Sequence, residues 1–141
     1  MIGIVIVTHY RLADEFLQSV RVIVGECEHA RAVGLDPTTT SPEDMRSRIE
    51  AAIRTADAGA GVLVLVDMFG GTPSNLSLAF LDQQRVEVVT GVNLPMLVKV
   101  VSAPSADSVA ELAAMAREYG RRNISVASEV LAGRDGGENA P

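Results

Sequence analysis

Three short apolar runs stand out along the first 90 residues: Ile2–Val7, Val62–Val66 and Val86–Val89, all rich in β-branched side chains. Runs that are apolar at nearly every position, instead of at every second one, suit strands covered on both faces, as in parallel sheets. Between them the period lengthens to that of a helix. Leu12–Gly25 carries Phe16, Val20 and Ile23 on one stripe, and Pro42–Ala56 carries Met45, Ile49, Ala52 and Ile53. The stretch Ala30–Leu35 is a weaker strand, polar enough to lie at an edge. This alternation predicts βαβ units and an α/β fold, a doubly wound, mainly parallel sheet with helices on both faces.

Helix starts are marked by their chemistry. Ser41 precedes Pro42 and Asp44, a cap followed by proline at the first helical position and acidic residues in the first turn. "TPSN" repeats the device, with Thr72 as cap and a helix expected over Pro73–Leu81. "APSADSVAELAAMAREYGRRN" is amphipathic, with Val109, Leu112, Ala113 and Ala116 inward and a stop near Gly120. After it "ISVASEV", Ile124–Val130, alternates and predicts a closing strand. One domain over residues 1–131 is expected, with a small, polar tail over 132–141.

Composition narrows the function. No apolar run approaches the roughly 20 residues of a membrane span, and "MIGIVIVTHY" has neither the basic flank nor the cleavage site of a signal peptide. A cytoplasmic protein without membrane insertion is expected. The single cysteine, Cys27, reads as a buried thiol. A formal net charge of −6 and a pI near 4.8 argue against a nucleic-acid surface. With no Trp, two Tyr and three Phe, stacking platforms for bases or sugars are scarce.

In a doubly wound sheet, reacting groups gather beyond the carboxyl ends of the strands, where strand order reverses. His9 follows the first apolar run and Asp67 ends the run "GVLVLVD". If those strands are neighbours, both side chains open onto one crevice. A neutral imidazole can accept a phosphoryl group when an acceptor holds its other N–H and donors receive the phosphoryl oxygens. Asp67 can be that acceptor. The loop "MFGGT" supplies candidate donors: backbone N–H groups at Gly70 and Gly71, and the hydroxyl and helix start at Thr72. Each feature has a plainer reading taken singly, as a surface histidine, a loop aspartate, backbone relief at paired glycines and an ordinary helix cap. Their combination at two strand ends favours the chemical one. His29, in "CEHAR", has no comparable setting.

Other chemistries find less support. His9, Asp67 and Cys27 lack the tight spacing of metal ligands, and no metal is expected. Neither G-x-G-x-x-G nor G-x-x-x-x-G-K occurs, and no cofactor is expected. A receiver-type phosphoaspartate lacks the acidic cluster for magnesium near the first strand.

"GIVIVTHYRLADEF", "LVDMFGGTPSN" and "VVTGVNLPML" together resemble the enzyme IIA component of the mannose family of the bacterial phosphoenolpyruvate-dependent sugar phosphotransferase system, over Met1 to Val130. The resemblance implies a phosphotransferase in which His9 is phosphorylated on Nε2 by the histidine phosphocarrier protein and passes the group to a IIB partner. It implies that Asp67 holds the imidazole, that Thr72 lies near the phosphoryl group, and that Asn93 and Leu94 border the crevice. It further implies four parallel strands in the order 2-1-3-4, with a fifth, antiparallel strand, here "ISVASEV", exchanged in a homodimer. The acceptor would then be a separate IIB protein in sugar uptake. Alternatively, such a stand-alone chain serves as a regulatory module, its phosphorylation state controlling a target protein.

Overall fold

A computed structural model of the chain describes residues 1–82, 85–103 and 106–133. Strands β1 (Gly3–His9), β2 (Ala30–Leu35), β3 (Val62–Val66) and β4 (Val86–Thr90) alternate with helices α1 (Leu12–Val24), α2 (Pro42–Ala56) and α3 (Thr72–Leu78). Helices α4 (Leu94–Val101), α5 (Val109–Arg122) and α6 (Ala127–Leu131) follow. The strands form one parallel sheet in the order β2-β1-β3-β4, so the direction of winding reverses between β1 and β3. The weak strand β2 is an edge, as its polarity predicts.

Alternation along the central strands divides two cores. Ile4 and Ile6 of β1, with Leu63 and Leu65 of β3, pack under α1, α4 and α5; Val5 and Val7, with Val62, Val64 and Val66, pack under α2 and α3. Burying a side chain of this size contributes about 1.5–3 kcal/mol, so the doubly apolar runs hold both layers. Helix α5 buries Val109, Leu112, Ala113 and Ala116 as predicted, and α2 buries Met45 and Ile49, with Ala52 and Ile53 packed alongside. Cys27 is buried within the first core.

Several local expectations are corrected. On α1 the buried stripe runs through Ala13, Leu17 and Val20; Phe16 is a flanking contact and Ile23 is exposed. Helix α5 starts only at Val109, because Ser108 accepts the Glu111 N–H at 3.1 Å while the Glu111 carboxylate accepts the Asp107 N–H at 3.0 Å. It does not stop at Gly120. That residue is buried inside the helix, where a Cβ would lie 2.7 Å from Met96 Cε, and its carbonyl accepts the Asn93 side-chain N–H at 3.1 Å. Gly71, not Thr72, caps α3; Thr72 is its first residue, and the helix ends at Leu78, short of Leu81.

The closing strand over Ile124–Val130 is not present in the single chain. Residues 124–126 have no regular structure and Ala127–Leu131 is a short helix with no buried side chain. A strand needs a ladder partner to satisfy its backbone, and the segment pairs with neither sheet edge. Residues 134–141 of the expected tail lie outside the described residues. Among the described residues no helix is long and apolar enough to cross a membrane.

Candidate functional site at the ends of β1 and β3

Strand order reverses between β1 and β3, and in a doubly wound sheet the site gathers beyond the carboxyl ends of the strands at that point. His9 is the last residue of β1, and strand parity puts it on the face of Val5 and Val7, the face that α3 covers. Asp67 follows β3 directly. Its Oδ2 accepts the His9 backbone N–H at 2.9 Å and lies 2.7 Å from His9 Nδ1. Its Oδ1 accepts the Met68 N–H at 3.0 Å. One carboxylate thus extends the β1–β3 ladder, fixes the imidazole and shapes the following loop. The aspartate side chain is 13% exposed and the histidine 43%: the acceptor is enclosed and the ring faces outward.

With Nδ1 against a carboxylate, the favoured neutral tautomer carries its proton there and leaves the Nε2 lone pair free. Nε2 faces Gly71. A Cβ on Gly71 would stand 2.7 Å from His9 Cε1 and 3.1 Å from Nε2, so only a residue without a side chain lets the loop approach the ring this closely. Gly70 adopts φ +90°, the left-handed turn that brings the chain from Asp67 into α3. The leading N–H groups of α3 have no intrahelical acceptors, and the helix starts beside the ring. Among the predicted residues, His9, Asp67 and Gly71 are therefore brought together, with Gly70 and Thr72 on either side of Gly71 in the same loop.

The segment leading into Asn93 and Leu94 lies at the same end of the sheet, for the Val92 N–H donates to the Val66 carbonyl at 3.0 Å. Asn93 caps α4, its Oδ1 accepting the Met96 N–H at 3.0 Å, and its amide ties α4 to α5. Leu94 packs against the first core. His29 lies at the amino end of the sheet, away from the site; its carbonyl accepts the Ile4 N–H at 2.9 Å, and burial pushes its imidazole below the ordinary histidine range. No group of three or more His, Cys, Asp or Glu among the described residues could hold a metal ion.

The sequence reading missed what holds His9 from behind. Arg11 occupies the N-cap position of α1 and makes no side-chain cap. Instead the buried hydroxyl of Thr8 accepts the Ala13 N–H at 2.6 Å and donates to the His9 carbonyl at 3.2 Å. Between them the chain turns through Tyr10 at φ +50°, a conformation costing a non-glycine residue about 1–2 kcal/mol. Gly34 on β2 admits that turn, since a Cβ there would meet the Tyr10 carbonyl oxygen at 2.0 Å. The signal available beforehand was a helix start without a Ser, Thr, Asp or Asn at its cap.

Residues 3–117 match the family model described as "PTS system fructose IIA component", PTS being the phosphotransferase system. The chain is 37% identical over 125 residues to the PTS system mannose-specific EIIAB component of Escherichia coli, a match spanning 87% of this chain and 38% of that one. It thus spans under two-fifths of the length of that relative. To the PTS system fructose-specific EIIA component of Bacillus subtilis it is 29% identical over 132 residues, spanning 93% of this chain and 90% of the relative. The solved structure of phosphotransferase system component EIIA from Streptococcus agalactiae matches with a TM-score of 0.81 at 29% identity, over 91% of this chain and 98% of that one. The mannose/sorbose specific IIA subunit from Enterococcus faecalis gives 0.79 at 28%, over 89% and 93%. By the family match across residues 3–117, reinforced by these relatives, the chain belongs to the mannose family of phosphotransferase-system IIA components.

Proposed function

We propose that the chain is a phosphocarrier that accepts a phosphoryl group on His9 Nε2 from the histidine phosphocarrier protein and passes it to a IIB partner in sugar uptake. The observation that carries this reading is the 2.7 Å contact between His9 Nδ1 and Asp67 Oδ2, which leaves Nε2 as the free nucleophile of a half-exposed ring. In the transfer the Nε2 lone pair attacks the phosphorus of the donor's phosphohistidine. The new N–P bond forms as the donor's N–P bond breaks, its electron pair returning to the donor imidazole. Nδ1 keeps its proton throughout. Positive charge developing on the His9 ring is stabilised by Asp67, as the triad aspartate stabilises an imidazolium without becoming protonated. Backbone N–H groups of the Gly70–Gly71 loop and the start of α3, with the Thr72 hydroxyl, receive the phosphoryl oxygens. Passing the group on reverses these steps.

The same reading includes a homodimer, in which the C-terminal segment of each copy meets the open β4 edge of the other. It places the protein in the cytoplasm, where donor and acceptor meet it. The chain is tested by mixing it with phosphoenolpyruvate, the first enzyme of the pathway and the phosphocarrier protein, then locating phosphate by mass spectrometry at alkaline pH. One phosphoryl group on His9 is expected, and none on His9→Ala. Undiminished labelling of His9→Ala would falsify the assignment.

A further inference from the structure

Among the described residues Tyr10 is the one non-glycine residue with a positive φ, and it directly follows the phosphoacceptor. Such strain persists only where surrounding structure over-determines it, and it gathers at sites where it serves function. Three contacts impose it here. The Tyr10 N–H donates to the Leu35 carbonyl at 2.7 Å, the Tyr10 carbonyl fills the space left by Gly34, and Thr8 anchors the amide of Ala13. A glycine would follow the same path without steric cost. Nor does burial of the ring offset the strain, for Tyr10 is 63% exposed and lies against exposed Arg11, whose guanidinium is 5.5 Å from the ring centroid.

In the loop after β3, Met68 and Phe69 are 55% and 71% exposed. Met68 and the His9 ring both flank Gly71, so the loop side chain stands beside the reacting nitrogen. The half-exposed imidazole is thus followed directly in the chain by exposed Tyr10 and Arg11 and has Met68 of the β3 loop nearby. We propose that Tyr10 is a specificity-determining residue that binds the phosphoryl-donating protein, and that its strained backbone is retained for that contact. The proposal rests on the phosphocarrier reading above. Its occupant follows from the chemistry. For transfer the donor's phosphorus must approach Nε2 to about 3–3.5 Å, so the donor surface around its phosphorylated residue must lie on the side chains around this ring. Tyrosine suits that position, giving large contact area with few rotors to immobilise. Neighbouring Arg11 adds a positive charge in a chain of net charge −6, the sign an approaching phosphoryl group requires.

The test compares the parent chain with Tyr10→Gly and Tyr10→Asn, both residue types that accept a left-handed backbone. Initial rates of His9 phosphorylation are followed against phosphocarrier protein concentration, with thermal unfolding measured alongside. Expected are unfolding midpoints no lower than the parent's and a KM for the phosphocarrier protein raised about tenfold, as for loss of one interface anchor. A KM within about twofold of the parent's in either folded variant overturns the proposal, because the tyrosine is then merely tolerated. Midpoints lowered in both variants overturn the strain argument on which it stands. A parent that takes up no phosphate overturns the phosphocarrier reading and this inference together, so the parent distinguishes the two failures.

Discussion

Strands β3 and β4 are both five residues long and rich in valine, yet they end in different states. β3 lies between two partners, is buried at every position, and hands over to an aspartate both of whose oxygens accept hydrogen bonds. Among the described residues β4 has a strand partner on one side, with a single bridge from Val86 to Asp82 on the other, and only Val86 is buried. On its open side the Val88 N–H is taken by the neighbouring Glu87 carboxylate at 2.9 Å, and a groove of about 370 Å³ runs between the strand and α5, lined by Val88, Val89, Ala113 and Arg117. An edge paired at one end only is a template for another chain. The centre of the sheet is thus complete within one chain and holds the proposed site. The dimer proposal covers the edge.

The sharpest way to break the claim for the centre is Asp67→Asn. The side chain keeps its size and one oxygen, so the fold should persist, but the amide has no charge to offer the phosphorylated ring. Transfer is expected to slow about a hundredfold, in the range that general-base and electrostatic partners contribute. Rapid-quench single-turnover measurements with the phosphocarrier protein check it. Rates equal to the parent's would remove Asp67 from catalysis and leave it a structural link between β1 and β3.

The edge is tested by truncation before Ile124. Ile124, Val126 and Leu131 are 73%, 59% and 89% exposed in the single chain, apolar area that stays open to water unless another copy covers it. The parent is expected to sediment as a dimer and the truncated chain as a monomer at the same concentration. A truncated chain that still sediments as a dimer would place the interface elsewhere.

The difference between centre and edge also explains what could be read in the sequence. β1 and β3 were legible because burial on both faces writes itself as an unbroken β-branched run, α2 because period, cap and buried face agree, and α5 by its buried face though not by its ends. His9 and Asp67 were legible for the same reason, each marking the end of such a run. The C-terminal segment was not. Its alternation of Ile124 and Val126 with polar neighbours fits a strand only where a ladder exists, whereas Ala127–Leu131 has the alanine, glutamate and leucine of a good helix former. Gly120 reads as a stop until the approach of Met96 shows why a side chain is excluded. Thr72 reads as a cap because its type fits, but the turn through Gly70 shifts the helix start by one residue.

Thr8 escaped for a related reason, and it supports the smallest of the expected effects. Its hydroxyl reaches an amide five positions on, a contact created by the left-handed turn at Tyr10 and by no local propensity. Thr8→Val keeps the shape of the side chain while removing the acceptor for the Ala13 N–H, inside a position with no exposure. Leaving a buried donor unsatisfied costs about 1–3 kcal/mol, so the midpoint of denaturant unfolding should fall while its slope is preserved. Asp67 still grips both the ring and the His9 amide, so phosphoryl transfer should slow less than in Asp67→Asn. If unfolding is unchanged, the β1–α1 turn is held by Gly34 and Leu35 alone. If transfer falls as far as in Asp67→Asn, the rigidity of the centre comes from behind the histidine as much as from the aspartate beside it.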